Sequence, residues 1–80
     1  MSIVAVLAAQ RLRILNYFKK EGITSEDKAL SVKEAITVMN LPGIRSMLER
    51  NMTKNLNFLV WRGKMNKTAD EKFYLKVKKQ

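Results

Sequence analysis

The chain has 80 residues, 46% of them apolar, and carries a net charge of +9 from 16 Lys and Arg against 7 Asp and Glu. That length allows a single domain with a thin core, and that apolar share rules out a disordered chain. With no cysteine and no histidine, a disulfide framework, the common zinc sites and His- or Cys-based catalysis are excluded.

The positive charge is unevenly spread: residues 1–20 carry +4, 21–40 carry −2, 41–62 carry +3 and 63–80 carry +4. Charge of this size on a small domain implies a polyanionic partner, either DNA, RNA or an acidic membrane surface; the plain alternative is solubility. The carboxylate pairs Glu26–Asp27 and Asp70–Glu71 fall in polar, turn-like sequence. They read as solvated surface rather than as metal or acid–base sites. The expectation is a non-enzyme with no catalytic residue, no metal and no cofactor. The lack of cysteine fits a reducing compartment, and the expected location is the cytoplasm.

The opening apolar run, Ile3 to Ala9, is far shorter than the roughly 20 residues a bilayer span needs. No basic segment precedes it, so neither a signal peptide nor membrane insertion is expected. Leu7, Ile14 and Phe18, joined by Val4, Ala8 and Leu15, recur at helical spacing. They predict a helix over residues 3–20, stopped by Gly22. Its first half has more apolar surface than a small body covers. It either packs over that body or pairs with a second copy, and Ile3, Val4, Leu7 and Ala8 are the candidate homodimer contacts.

A polar connector holding most of the acidic residues leads to "SVKE", where Ser31 and Glu34 form a capping box. Helix two is expected over Val32 to about Asn40, with Val32, Ala35, Ile36 and Met39 on one face. Leu41 precedes a proline and is pushed out of helical geometry, and Gly43 allows a sharp turn. Helix three is expected from Ile44 to Trp61. Ile44, Met47, Leu48, Met52, Leu56, Phe58 and Leu59 form its apolar stripe, and Ser46, Arg50, Thr53, Lys54 and Asn57 its polar face. Asn51 and Asn55 fall near the stripe; they either face a gap between helices or mark an irregular turn. Trp61, Tyr74 and the methionines 39, 47, 52 and 65 read as packing residues. Met65 then opens a strand, "NKTADE" forms a tip, and Phe73, Leu75 and Val77 alternate along a return strand.

The order helix, helix, turn, helix, strand, turn, strand resembles the winged helix-turn-helix family. The resemblance rests on Leu59 and Leu56, four and seven residues before Gly63, with Met52 eleven before it, the strand at Met65, a basic tip and the "FYLKV" return strand. It spans roughly residues 10–79, and its specific part is 51–77. The third helix begins earlier, and the connector before helix two is longer, than is usual in that family. The resemblance implies a mainly α fold with a small β-hairpin (α+β): three helices plus a two-stranded antiparallel wing, within one domain.

It also implies double-stranded DNA as partner. A major groove about 12 Å wide accepts one helix with an apolar back and a polar front. Arg50, Lys54 and Asn57, with Ser46 and Thr53, would supply that front. Lys64, Lys67 and Lys72 on the wing, with Asn66 and Thr68, would hold flanking phosphates. Each feature has a plainer reading. Arg50 and Lys54 suit any solvated helix face, and Lys76, Lys78 and Lys79 suit protection of an edge strand. The expected function is a homodimeric transcriptional regulator with no small-molecule ligand. The alternatives are an architectural DNA binder using the same surface, or a winged protein-interaction module. An RNA binder ranks lower, because no aromatic is expected at an exposed position.

Overall fold

Ser2 opens α1 (Ile3–Lys20), its hydroxyl accepting the Ala5 backbone N–H at 3.2 Å as an N-cap should. The computed structural model describes residues 2–77; the edge-protection reading of Lys78 and Lys79 lies outside them. Gly22 ends α1 with a φ of +66°. The Ile23 N–H donates to the Phe18 carbonyl at 2.9 Å and the Gly22 N–H to the Lys19 carbonyl at 3.3 Å, the paired bonds that cap a helix through a left-handed residue.

The polar connector is structural. Ile23 and Ala29 are buried, and a short 3-10 turn covers Glu26–Lys28. Leu30 then exchanges two hydrogen bonds with Phe73, at 2.9 and 2.7 Å. The capping box forms as the sequence predicts: Ser31 Oγ accepts the Glu34 N–H at 3.1 Å, and Glu34 Oε1 accepts the Ser31 N–H at 2.9 Å. It starts α2 (Val32–Met39), which buries Ala35 and Ile36 and ends at a left-handed Asn40. Gly43, at a φ of +132°, lets the chain turn beneath Leu48 into α3 (Arg45–Trp61).

The hairpin follows: β1 (Met65–Lys67) pairs antiparallel with β2 (Phe73–Leu75), Met65 facing Leu75 and Lys67 facing Phe73. Three helices with this two-stranded wing form a mainly α, winged-helix-like layout. An isolated hairpin is marginal in water, and this one is not isolated. Met65 and Phe73 are buried against Leu56 and Leu59 in the common core. The free edge of β2 is occupied by Leu30 and by the Ile23 carbonyl, which accepts the Leu75 N–H at 2.8 Å. The return strand is therefore not an edge, and Lys76 does not protect one. Its N–H donates to the Lys64 carbonyl at 3.0 Å.

The stripe of α3 is narrower than the sequence suggests. Leu48, Met52, Leu56 and Leu59 are buried, but Ile44, Met47 and Phe58 are exposed. At roughly 100° per residue those three lie on the flank of the buried arc, outside the sector that α1, α2 and the hairpin cover. Asn55 lies inside that sector, and its exposure is 0%. The helix is regular there. Its carbonyl oxygen Oδ1 accepts from Arg11 Nη1 at 3.3 Å, and its Nδ2 donates to Gln10 Oε1 at 3.5 Å. Trp61 is 75% exposed and is not the packing aromatic the sequence suggests.

Candidate nucleic-acid interface

Ser46, Arg50, Thr53, Lys54 and Asn57 are all exposed on α3. Placed around the helix they fall within about 60° of Arg50, opposite the buried Leu48, Met52 and Leu59. Glu49 pairs with Arg45 at 3.3 Å rather than with Arg50. Among the described residues, Arg50 and Lys54 are paired with no carboxylate. Both cations are therefore available to an external anion. Thr53 differs: its Oγ1 donates to the Glu49 carbonyl at 2.7 Å. Its proton is committed to its own helix, leaving only lone pairs to offer.

The wing cations are less free than the sequence suggests. Lys67 Nζ lies 3.7 Å from Glu71 and 5.6 Å from the centre of the Phe73 ring. Lys72 Nζ lies 3.8 Å from Glu34 and ties the hairpin to α2. Such exposed pairs contribute only about 0–1 kcal/mol, so a phosphate can displace the carboxylate. Thr68 holds the turn itself. Its hydroxyl accepts the Lys72 N–H at 3.1 Å, and its carbonyl accepts the N–H of the left-handed Glu71 at 3.0 Å.

The fold brings some of these side chains together and separates others. Thr53 and Asn57 of α3 and Lys67 of the wing line one open groove. Lys33, in the first turn of α2, lines it too. Lys33 was not singled out in the sequence, where it is one polar residue among several. Asp70 and Glu71 also line the groove and dilute its positive charge. Ser46 stands eleven residues from Asn57, about 16 Å along the helix axis. Asn66 pairs with Tyr74, on the hairpin face opposite Lys67. Lys64 lies at the root of the hairpin, in a separate cleft with Arg62 and Lys76.

Glu34 sits beside the groove. The Ser31 backbone N–H holds its carboxyl below the ordinary value of 4.5; the Ser31 hydroxyl and Lys72 act in the same direction, against partial burial. The Asp27 carboxyl is also lowered, chiefly by the Ser25 hydroxyl that donates to it.

The dimer candidates divide. Ile3 and Val4 are 60% and 69% exposed and Ala8 is exposed, so the body does not cover them. Leu7 is half-buried, on the side of α1 that carries Ile14 and Phe18. Leu12 is exposed and continues the Val4–Ala8 face at a spacing of four.

Trp61 is exposed on α3 rather than packed in the core. At 100° per residue it falls about 20° from Arg50, in the middle of the polar face. That position was legible, but the residue's size suggested core. Among the described residues no helix is long and apolar enough to cross a membrane, and no group of three His, Cys, Asp or Glu side chains is placed to hold a metal. No protein-family model, curated protein or solved structure matches the chain. What defines the protein is its fold: a basic chain in a winged-helix-like layout of three helices and a two-stranded hairpin.

Proposed function

We propose that the chain is a double-stranded DNA-binding protein acting as a homodimeric transcriptional regulator in the cytoplasm, at the nucleoid. In this reading α3 enters the major groove, and the wing lies on flanking phosphates. Arg50 and Asn57 face base edges, while Lys54, Lys67 and Lys33 neutralise phosphate. The observation that carries the reading is the exposed set Arg50, Lys54 and Asn57, opposite the buried stripe of α3, whose two cations have no carboxylate partner among the described residues. The wing's Lys67 shares a groove with the same helix face.

The test is fluorescence anisotropy of labelled random duplex over a range of salt. With about six phosphate contacts the log–log salt slope is expected near −5. Lys54→Ala and Lys67→Ala should weaken every sequence alike and flatten the slope. Arg50→Ala and Asn57→Ala should each cost about 1–3 kcal/mol on a selected site and little elsewhere. Absence of binding at low salt would overturn the reading and leave the interaction module, supported by the uncovered Ile3 and Val4.

A further inference from the structure

We propose that the C-terminal end of α3 carries a second nucleic-acid site, a platform for an unpaired nucleotide, with Trp61 stacking the base and Arg62, Lys64 and Lys76 holding its phosphates. This goes beyond the duplex reading and does not depend on it.

The first support is the exposed indole. Burying a large apolar side chain contributes roughly 1.5–3 kcal/mol, yet the fold leaves Trp61 75% exposed and outside the core cluster. The ring is nonetheless placed. Phe58 flanks it with centroids 5.8 Å apart and planes tilted by 50°. Phe58 is itself held beneath the Arg11 guanidinium, 4.2 Å from its centroid. The Arg62 guanidinium lies 5.9 Å from the Trp61 centroid. An aromatic braced from one side and open to solvent has the geometry a stacking platform needs, because every base offers a π-face to it.

The second support is the charge beside it. Arg62, Lys64 and Lys76 line one cleft, and among the described residues none of them is paired with a carboxylate. Their backbone is fixed. The Lys64 N–H donates to the Leu59 carbonyl at 2.8 Å and the Gly63 N–H to the Val60 carbonyl at 3.0 Å. Gly63 takes the left-handed φ of +76° that this cap requires. The Lys76 N–H then donates to the Lys64 carbonyl. One cation would satisfy the carbonyl end of α3; three on one cleft, with no carboxylate paired to them among the described residues, suit an external anion.

Together these features select an unpaired strand. In a duplex the base faces are already stacked on each other, so a lone indole finds no partner there. An anionic bilayer surface would demand a broader apolar face than one indole with Phe58 at its side.

Trp61 is the only tryptophan, so its emission reports on this site directly. The full chain is titrated with oligo-dT and oligo-U of about ten nucleotides, within the usual 4–16 site size, and with anionic phospholipid vesicles. The expected result is quenching of Trp61 by either strand and, by anisotropy of the labelled strands, an affinity that falls roughly five- to a hundredfold in Trp61→Ala and is partly kept in Trp61→Phe. Whichever strand binds tighter identifies the source, DNA or RNA. Replacing Arg62, Lys64 and Lys76 by Ala should flatten the salt dependence of strand binding. The exposed position of Trp61 keeps the variants folded, checked by circular dichroism. Strand binding that neither quenches Trp61 nor responds to Trp61→Ala would overturn the proposal. So would an emission change with vesicles and none with strands. Duplex affinity is judged separately through Arg50→Ala and Lys54→Ala, so either reading can fail alone.

Discussion

Asn55 occupies a place where the helix pattern leaves room for a leucine. It is enclosed between α1 and α3, and its amide is met by Arg11 and Gln10, so among the described residues no buried side-chain polar atom is left unsatisfied. Arg11 also covers the Phe58 ring, so one guanidinium links the buried amide to the aromatic pair at the end of α3. A buried polar contact of this kind fixes how one helix is rotated against the other, because any other rotation strands the amide without partners. Asn55→Ala is expected to cost about 1–3 kcal/mol in denaturant unfolding. Arg11→Met should add less in the Asn55→Ala background than alone, since the two act as one unit. Simple additivity would remove the coupling. The sequence marked Asn55 as anomalous but could not supply its partners, which lie 44 and 45 positions away.

At the scale of elements, the most local features were the most legible. Ser31 with Glu34 and Gly22 after Lys20 set helix ends through bonds spanning three to five residues, and both are found where expected. The capping box also yields a pH prediction. The Glu34 carboxyl is held below its ordinary value in the folded chain, first by the Ser31 N–H. Its contribution is complete above the unfolded value of about 4.5 and is lost as pH falls through the lower folded value. Thermal unfolding should therefore lose stability on the acid side in the native chain. Glu34→Gln, which keeps a weaker acceptor but no charge, should show a smaller acid-side loss. Parallel curves would mean Glu34 is not the titrating group. What the local pattern did not show is the role of the connector. Leu30 and Ile23 are ordinary apolar residues in a polar stretch, and only their pairing with Phe73 and Leu75 reveals them as the outer support of the hairpin.

At the scale of the molecule, which measures 39 Å by 22 and 21 Å, much of the first half of α1 is exposed. Val4, Ala8 and Leu12 form one uncovered strip there. In the homodimer reading this strip meets its copy. Sedimentation of the full chain should then give a dimer, and Val4→Glu with Leu12→Glu should give a monomer of unchanged helix content. A native chain that stays monomeric at high concentration would sink the homodimer. On DNA, a dimer of this kind is expected to protect two half-sites about one helical turn apart.

The amino-acid sequence by itself determined the number and order of helices, the hairpin, the Ser31–Glu34 capping box, the stop at Gly22 and the excess of positive charge. Each depends on periodicity, on special backbone angles at a few residues, or on simple counting. Only the tertiary structure decided which flank of α3 is covered, that Asn55 is enclosed while Trp61 is not, and which lysines are already engaged by carboxylates. Those outcomes depend on where α1, α2 and the hairpin stand around α3, and burial is a property of that arrangement rather than of any residue's own polarity.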